Sequence, residues 1–248
     1  MAKKESSLKH SHHPEKIRER LQDEVEHSYL GDFLLGAIDG IVTTFAVVCG
    51  TAGAGFSSSV AIVLGLANLL ADGFSMAAGN YQKAKSDLGI VRRARSIEER
   101  HIVEEPEGER EEVRQIYASK GFEGRLLEEI VEVITNNKDR WVDTMLVEEH
   151  GLRLEVPSAT RAAITTFFSF VVVGIIPLLP FLYQSWWSTD QVFIHASVVT
   201  ALAFFVVGAI KGKVLHENWW LSGFGTLFIG VIAAGLAYGV GHLFSHLM

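Results

Sequence analysis

The chain has 248 residues, 48% of them hydrophobic, with a formal charge of −7 and one cysteine. Its apolar residues collect in blocks long enough to cross a bilayer as helices, which takes about 20 residues each, so an ordinary water-soluble fold is excluded. Cys49 alone excludes an intrachain disulfide and a multi-cysteine zinc site. The acidic balance sits mostly in one inserted block and gives no footprint for nucleic acid.

The first 30 residues are polar and charged and lack the apolar core of a signal peptide, so none is expected. His10, His12 and His13 read as a polar tail rather than a dedicated metal site. Residues 15–29 have the mixed charge of a helix, either lying on the membrane surface or simply solvated.

Five apolar segments follow, at residues 33–54, 60–78, 162–182, 192–210 and 220–243. The first places Gly36, Asp39, Gly40 and Thr43 on one helical face. Small residues there allow close helix approach, while Asp39 and Thr43 supply oxygens. A carboxylate is costly in hydrocarbon and by default faces a bundle interior or a water-filled path. The second segment carries Asn68, Asp72, Met76 and Asn80 four apart, on one stripe. For Asp72 a structural tie and a place on an ion path are both open. This segment is expected to continue as helix beyond the membrane through Lys83, Lys85 and Arg92.

Residues 81–157 form the acidic insertion. It begins with Glu98, Glu99, Glu104, Glu105, Glu107, Glu109, Glu111 and Glu112, with His101 among them. Helices are expected at 87–105, 109–119, 123–135 and 139–149, separated by Pro106 with Gly108, by Lys120-Gly121 and by Asn136-Asn137. Leu126, Leu127, Ile130, Val131 and Ile134 give the third an apolar stripe. The block therefore reads as a small helical domain with an apolar seam and an acidic face. Glu98 with His101, Glu109 with Glu112, and Met145 with Glu149 each share one side of a helix. Helix-borne carboxylates and imidazoles at this spacing are how bundles build metal sites. Glu-rich helices are more often solvated faces, and Met145 alone reads as core. As a ligand its thioether, like the His101 imidazole, would favour first-row transition ions such as Fe2+.

In the third segment Gly174, Pro177 and Pro180 predict a kink or break. In the fifth, Gly223, Gly225, Gly230, Gly235, Gly239 and Gly241 read as packing positions. Lys211 ends the fourth and is expected to snorkel to the inner interface. Lys and Arg residues precede segment one, fill the insertion and follow segment four, and are missing from the alternate loops. The positive-inside rule then puts the N-terminus and the acidic block in the cytoplasm and the C-terminus outside. Tyr183, Trp186 and Trp187 suit an outer aromatic belt, Trp219 and Trp220 an inner one. The expected fold is all-α: residues 1–30 a cytoplasmic tail, 31–80 the first two transmembrane helices, 81–157 the acidic metal-binding domain and 158–248 the last three.

The run Gly36-Ala-Ile-Asp39-Gly40-Ile-Val-Thr43, the run Ser75-Met76-Ala-Ala-Gly79-Asn80-Tyr81, the acidic insertion and Gly174-Ile-Ile-Pro177-Leu-Leu-Pro180 together resemble the vacuolar iron transporter family, which includes the nodulin-21-like proteins. The resemblance covers nearly everything after Gly31. It implies a five-helix homodimer that moves Fe2+ or Mn2+ out of the cytosol in exchange for protons, along a path between protomers. It implies that Asp39 and Met76 line that path. It also implies that Glu98, Glu109, Glu112, Met145 and Glu149 bind the ion in the cytoplasmic domain. Two positions depart from the family pattern: His101 stands where a further Glu is common, and Asn68 where the second span often has Glu. A softer ligand at 101 would shift preference towards Fe2+, Co2+ or Zn2+, and Asp72, one turn on from Asn68, is the substitute at hand.

The expected function is a divalent-metal exporter, with Asp39, Thr43, Asn68, Asp72 and Met76 along the path and no prosthetic group. Its partners are membrane lipid, the ion, protons and a second copy of the chain. A bacterial inner membrane and a vacuolar membrane both fit the orientation. Protons and metal compete for the same deprotonated ligands, which is the simplest basis for antiport. Two rivals stand beside it. Glu98-x-x-His101 is the spacing of di-iron oxidases, although no second Glu-x-x-His is found in the block. A cytosolic metal sensor would carry the same acidic domain.

Overall fold

The computed structural model describes residues 13–22 and 28–247. His10 and His12, and part of the helix expected at 15–29, lie outside the described residues; α1 is Pro14–Gln22. Five of the described helices are long and apolar enough to cross a membrane: Leu30–Gly53, Ser58–Glu104, Ala159–Tyr183, Thr189–Val214 and Trp219–Ser245. A helical region is inserted between the second and third, so the chain is all-α as expected.

Helix α2 (Leu30–Gly53) is the hub of the membrane part. Gly36 and Gly40 lie directly against α7 (Ala159–Gly174): a Cβ on Gly36 would sit 2.2 Å from Ser169 Oγ, and one on Gly40 would sit 2.4 Å from the Phe170 carbonyl oxygen. Gly174 meets the Gly40 carbonyl oxygen at 2.7 Å by the same measure. Backbones that approach this closely tolerate only hydrogen at those positions. The third segment breaks as its prolines require. Its α-helix stops at Gly174, and a 3₁₀ helix, Ile176–Tyr183, carries the chain on. Helix α8 (Thr189–Val214) opens with a capping box in which Ser188 and Gln191 bond reciprocally. Helix α9 (Trp219–Ser245) starts at Asn218, whose side chain accepts from Trp220 N–H at 3.2 Å.

The glycines of α9 divide into two sets. Gly223, Gly230 and Gly241 touch Phe205, Phe204 and the Gly50 backbone, whereas Gly225, Gly235 and Gly239 meet nothing within 4 Å. The expectation that all six are packing positions is thus corrected for the protomer: three are exposed, with open space where a Cβ would stand.

Helix α3 (Ser58–Glu104) is continuous over 47 residues, which at 1.5 Å per residue is roughly 70 Å. The first half is membrane helix and the second is a stem that projects from it. The helix expected to run on past the membrane through Arg92 thus joins the one expected at 87–105, since no proline interrupts 58–105 and Gly89 alone does not break a helix. Pro106 then occupies the first turn of α4 (Pro106–Ser119), where its missing N–H costs nothing. Gly121, at φ 92°, turns the chain towards α5 (Gly124–Thr135). Asn137 caps α6 (Lys138–Glu148), accepting from the Arg140 N–H at 2.9 Å. Val113, Leu127, Val131, Ile134, Trp141 and Met145 form the buried seam of this domain, with Ile102 of α3 packed against it. Arg95 pairs with Asp143 and Lys120 with Glu148, tying α6 to the stem and to the end of α4.

Candidate metal centre

The inserted domain buries two carboxylates where the stem, α4 and the end of α6 meet. Glu98 is 2% exposed and Glu109 is 5% exposed. Packing explains both. Glu98 is one turn from Ile102, and Glu109 one turn from Val113, so each lies on the face that the apolar seam draws inward. The other acidic residues of the run stay out. Glu111 bonds Arg114 and Gln115 on the outer surface of α4, and Glu99, Glu104, Glu105 and Glu107 are half-exposed or exposed.

Around the buried pair the ligand atoms converge. His101 Nδ1 lies 3.2 Å from Glu109 Oε1. His150 Nε2 lies 3.0 Å from Glu98 Oε1 and 3.8 Å from Glu149 Oε2. Glu98, His101 and Glu109 form one group with ligand atoms within 4.8 Å of one another, and Glu98, Glu149 and His150 form another. The second oxygens of Glu98 and Glu109 are buried with no hydrogen-bond partner. A buried carboxylate oxygen without a donor is costly, and a cation or a proton satisfies it.

The electrostatics follow from crowding. Burial pushes the Glu109 carboxyl up to about 7, with Glu112 and Glu98 adding repulsion and His101 opposing it. Burial also raises Glu149; His150 opposes the rise, while Glu112 and Glu98 add to it. The hydrogen bond to Glu98 holds the His150 imidazole above its usual range, against the opposing effect of burial. Negative charge in excess of its protein partners is a set of groups that exchange protons for a cation near neutral pH.

Of the residues singled out in the sequence, Glu98, His101, Glu109 and Glu149 lie in these groups, and Glu112 is close enough to act on both Glu109 and Glu149. Met145 is fully buried in the apolar seam, one turn before Glu149. His150 was not singled out. Its signal was its place beside Glu149, just ahead of Gly151, which ends the helix at φ 64°.

In the membrane part, Asp39, Thr43, Asn68, Asp72 and Met76 are all half-buried on α2 and α3. Asp39 and Asp72 lie within electrostatic reach of each other. The Thr43 hydroxyl donates to the Asp39 carbonyl at 2.9 Å, which leaves its oxygen free to accept. Asn68 Nδ2 is buried without a partner. Asn80, on the same stripe, is a structural tie: its amide donates to Asp32 Oδ1 at 2.7 Å and Thr166 Oγ1 at 2.8 Å. Beyond this stripe α3 shows Val63, Leu64, Leu66, Leu70 and Phe74 outward, an apolar surface suited to lipid or to another helix.

Known proteins share this architecture's sequence. The model of the VIT family matches residues 30–242. A vacuolar iron transporter 1 of Oryza sativa subsp. japonica is 32% identical over 241 residues, covering 97% of this chain and 92% of its own length. A vacuolar iron transporter 1 of Arabidopsis thaliana is 34% identical over 216 residues, 87% of this chain and 86% of that one. A vacuolar iron transporter of Toxoplasma gondii is 34% identical over 223 residues, 87% of this chain and 74% of that one.

Proposed function

The chain belongs to the VIT family, and from that premise we propose that it exports divalent transition-metal ions, Fe2+ foremost, from the cytosol. The single observation that carries this reading is the pair of buried, unpartnered carboxylate oxygens on Glu98 and Glu109, flanked by His101, Glu149 and His150. Cytosolic ions collect there, with Glu112 adding negative charge and Met145 a thioether. They pass to Asp39, Thr43, Asn68, Asp72 and Met76 at the α2–α3 stripe. Two copies of the chain enclose that path, each contributing the outward face of α3.

The N-terminus and the inserted domain face the cytoplasm in this reading, which the Lys and Arg distribution supports. The same groups hold either protons or a cation, so a proton gradient drives release on the far side. The membrane carboxylates are the groups that must lose a proton to take the ion and regain it to let go. The oxidase alternative falls away, because VIT family proteins are transporters. The inserted domain also carries no second Glu-x-x-His, which a full di-iron site of that type requires.

The test is Fe2+ uptake into proteoliposomes with an acidic interior. Uptake faster than in vesicles without the gradient, and lost in Asp39→Ala, is expected. Uptake that Asp39→Ala leaves intact rules out this path, and metal binding without any flux supports a sensor instead.

A further inference from the structure

His150 comes to the acidic cluster from outside the ligand set proposed above. Its position is fixed by the end of α6. Its backbone N–H donates to the Met145 carbonyl at 3.2 Å, Gly151 reverses the chain, and the Leu152 N–H returns to the Leu146 carbonyl at 2.8 Å. This turn holds the ring over the stem, with Nε2 3.0 Å from Glu98 Oε1. Glu98 is thereby shared by two groups of three ligand atoms, and each group contains one imidazole: His101 in the first, His150 in the second.

One reading makes His150 only a counter-ion. It does not account for the remaining atoms. Even with His150 and His101 in place, the second oxygens of Glu98 and Glu109 stay buried and without partners, on side chains 2% and 5% exposed. A cation held among Glu98, His101 and Glu109, whose ligand atoms lie within 4.8 Å of one another, gives such carboxylates the partner they lack, and it turns a ring from a hydrogen-bonding partner into a lone-pair donor.

We propose that His150 is a metal ligand, and that with His101 on the other side of Glu98 it makes the cluster select ions that favour nitrogen, namely Zn2+, Co2+ and Fe2+, over Mn2+. Imidazole suits these ions, whereas carboxylate and water suffice for Mn2+. The inference rests on the proposed ion-binding reading of the cluster and adds to it a residue and a selectivity.

The experiment is equilibrium dialysis of the purified full-length chain in detergent against Zn2+ and Mn2+, comparing wild type with His150→Ala and His150→Gln. Loss of a ligand is expected to weaken Zn2+ binding by about tenfold or more, in the range that ligand-shell changes produce, with a smaller effect on Mn2+. Glutamine supplies no imidazole nitrogen and should match alanine. A counter-ion predicts the opposite sign, since removing a positive charge leaves cation binding unchanged or tighter for both metals; that result overturns the proposal. Wild-type protein that binds neither ion defeats the reading of the cluster itself, and intact binding in both His150 variants defeats only this inference. X-ray absorption of His101→Ala loaded with one equivalent of Zn2+ checks the point without altering His150. Imidazole scattering should persist, and its absence overturns the assignment.

Discussion

Lowering the pH from 8 to 6 should strip metal from the cytoplasmic cluster. Glu109 titrates at about 7 because burial and the neighbouring Glu112 and Glu98 disfavour its charge. Such a carboxyl is about 90% ionised at pH 8 and about 10% ionised at pH 6, so this one group weakens metal binding about tenfold across the interval. Protonation of His150, favoured by its bond to Glu98, acts in the same direction. The apo domain behaves inversely. Because the folded-state pKa of Glu109 is raised, its contribution to stability is complete below the ordinary carboxylate range and is lost as pH rises through about 7. Bound metal restores it, so Zn2+ should raise the melting temperature more at pH 8 than at pH 6. Calorimetric titration of the full chain with Zn2+ at the two values measures the first effect. Glu109→Gln should bind more weakly at pH 8 and lose most of the pH dependence. Affinity that stays level between pH 8 and pH 6, or strengthens on acidification, refutes the reasoning.

Four further outcomes follow from the packing. Gly40→Ala should lower the melting temperature in detergent, since its Cβ would stand 2.4 Å from the Phe170 carbonyl oxygen, an overpacking cost of about 1–3 kcal/mol. Gly89→Ala, on the stem with nothing within 4 Å, should instead gain up to about 1 kcal/mol from helix propensity. Asn80→Leu removes the donor to Asp32 and Thr166 and should cost about 1–3 kcal/mol, read by the same melting assay. Met145→Leu keeps the volume of the seam and should cost less than about 1.5 kcal/mol, while weakening Fe2+ binding in calorimetric titration through loss of the thioether.

Much of this arrangement was legible along the chain because membrane helices declare themselves by length and hydropathy, and helix stops by Pro106, Gly121 and Asn137. The break after Gly174 was equally plain, since neither Pro177 nor Pro180 can sit inside a regular α-helix. The continuation of α3 beyond the membrane through Lys83, Lys85 and Arg92 was legible too. The change from apolar to charged residues near Tyr81 marks a change of solvent, and it does not mark a change of backbone. His150 was invisible to a search for pairs three or four apart on one helix, because its contact with Glu98 spans 52 residues and depends on how α6 docks on the stem. The glycines of α9 show the reverse error. Composition says only that helices can approach there, and a Cβ added at Gly225, Gly235 or Gly239 would meet nothing within 4 Å. Which of eight clustered glutamates turn inward is likewise a packing outcome, decided by whether Ile102 or Val113 lies one turn away.

The central claim is that the buried carboxylates of the inserted domain receive a transition-metal ion. Anomalous diffraction from crystals of the full chain grown with Co2+ tests it most directly. The account predicts a strong anomalous peak within bonding distance of Glu98 and Glu109, with His101 or His150 nitrogen as a further ligand. No anomalous density at Glu98, with Co2+ ordered only elsewhere on the molecule, would contradict it.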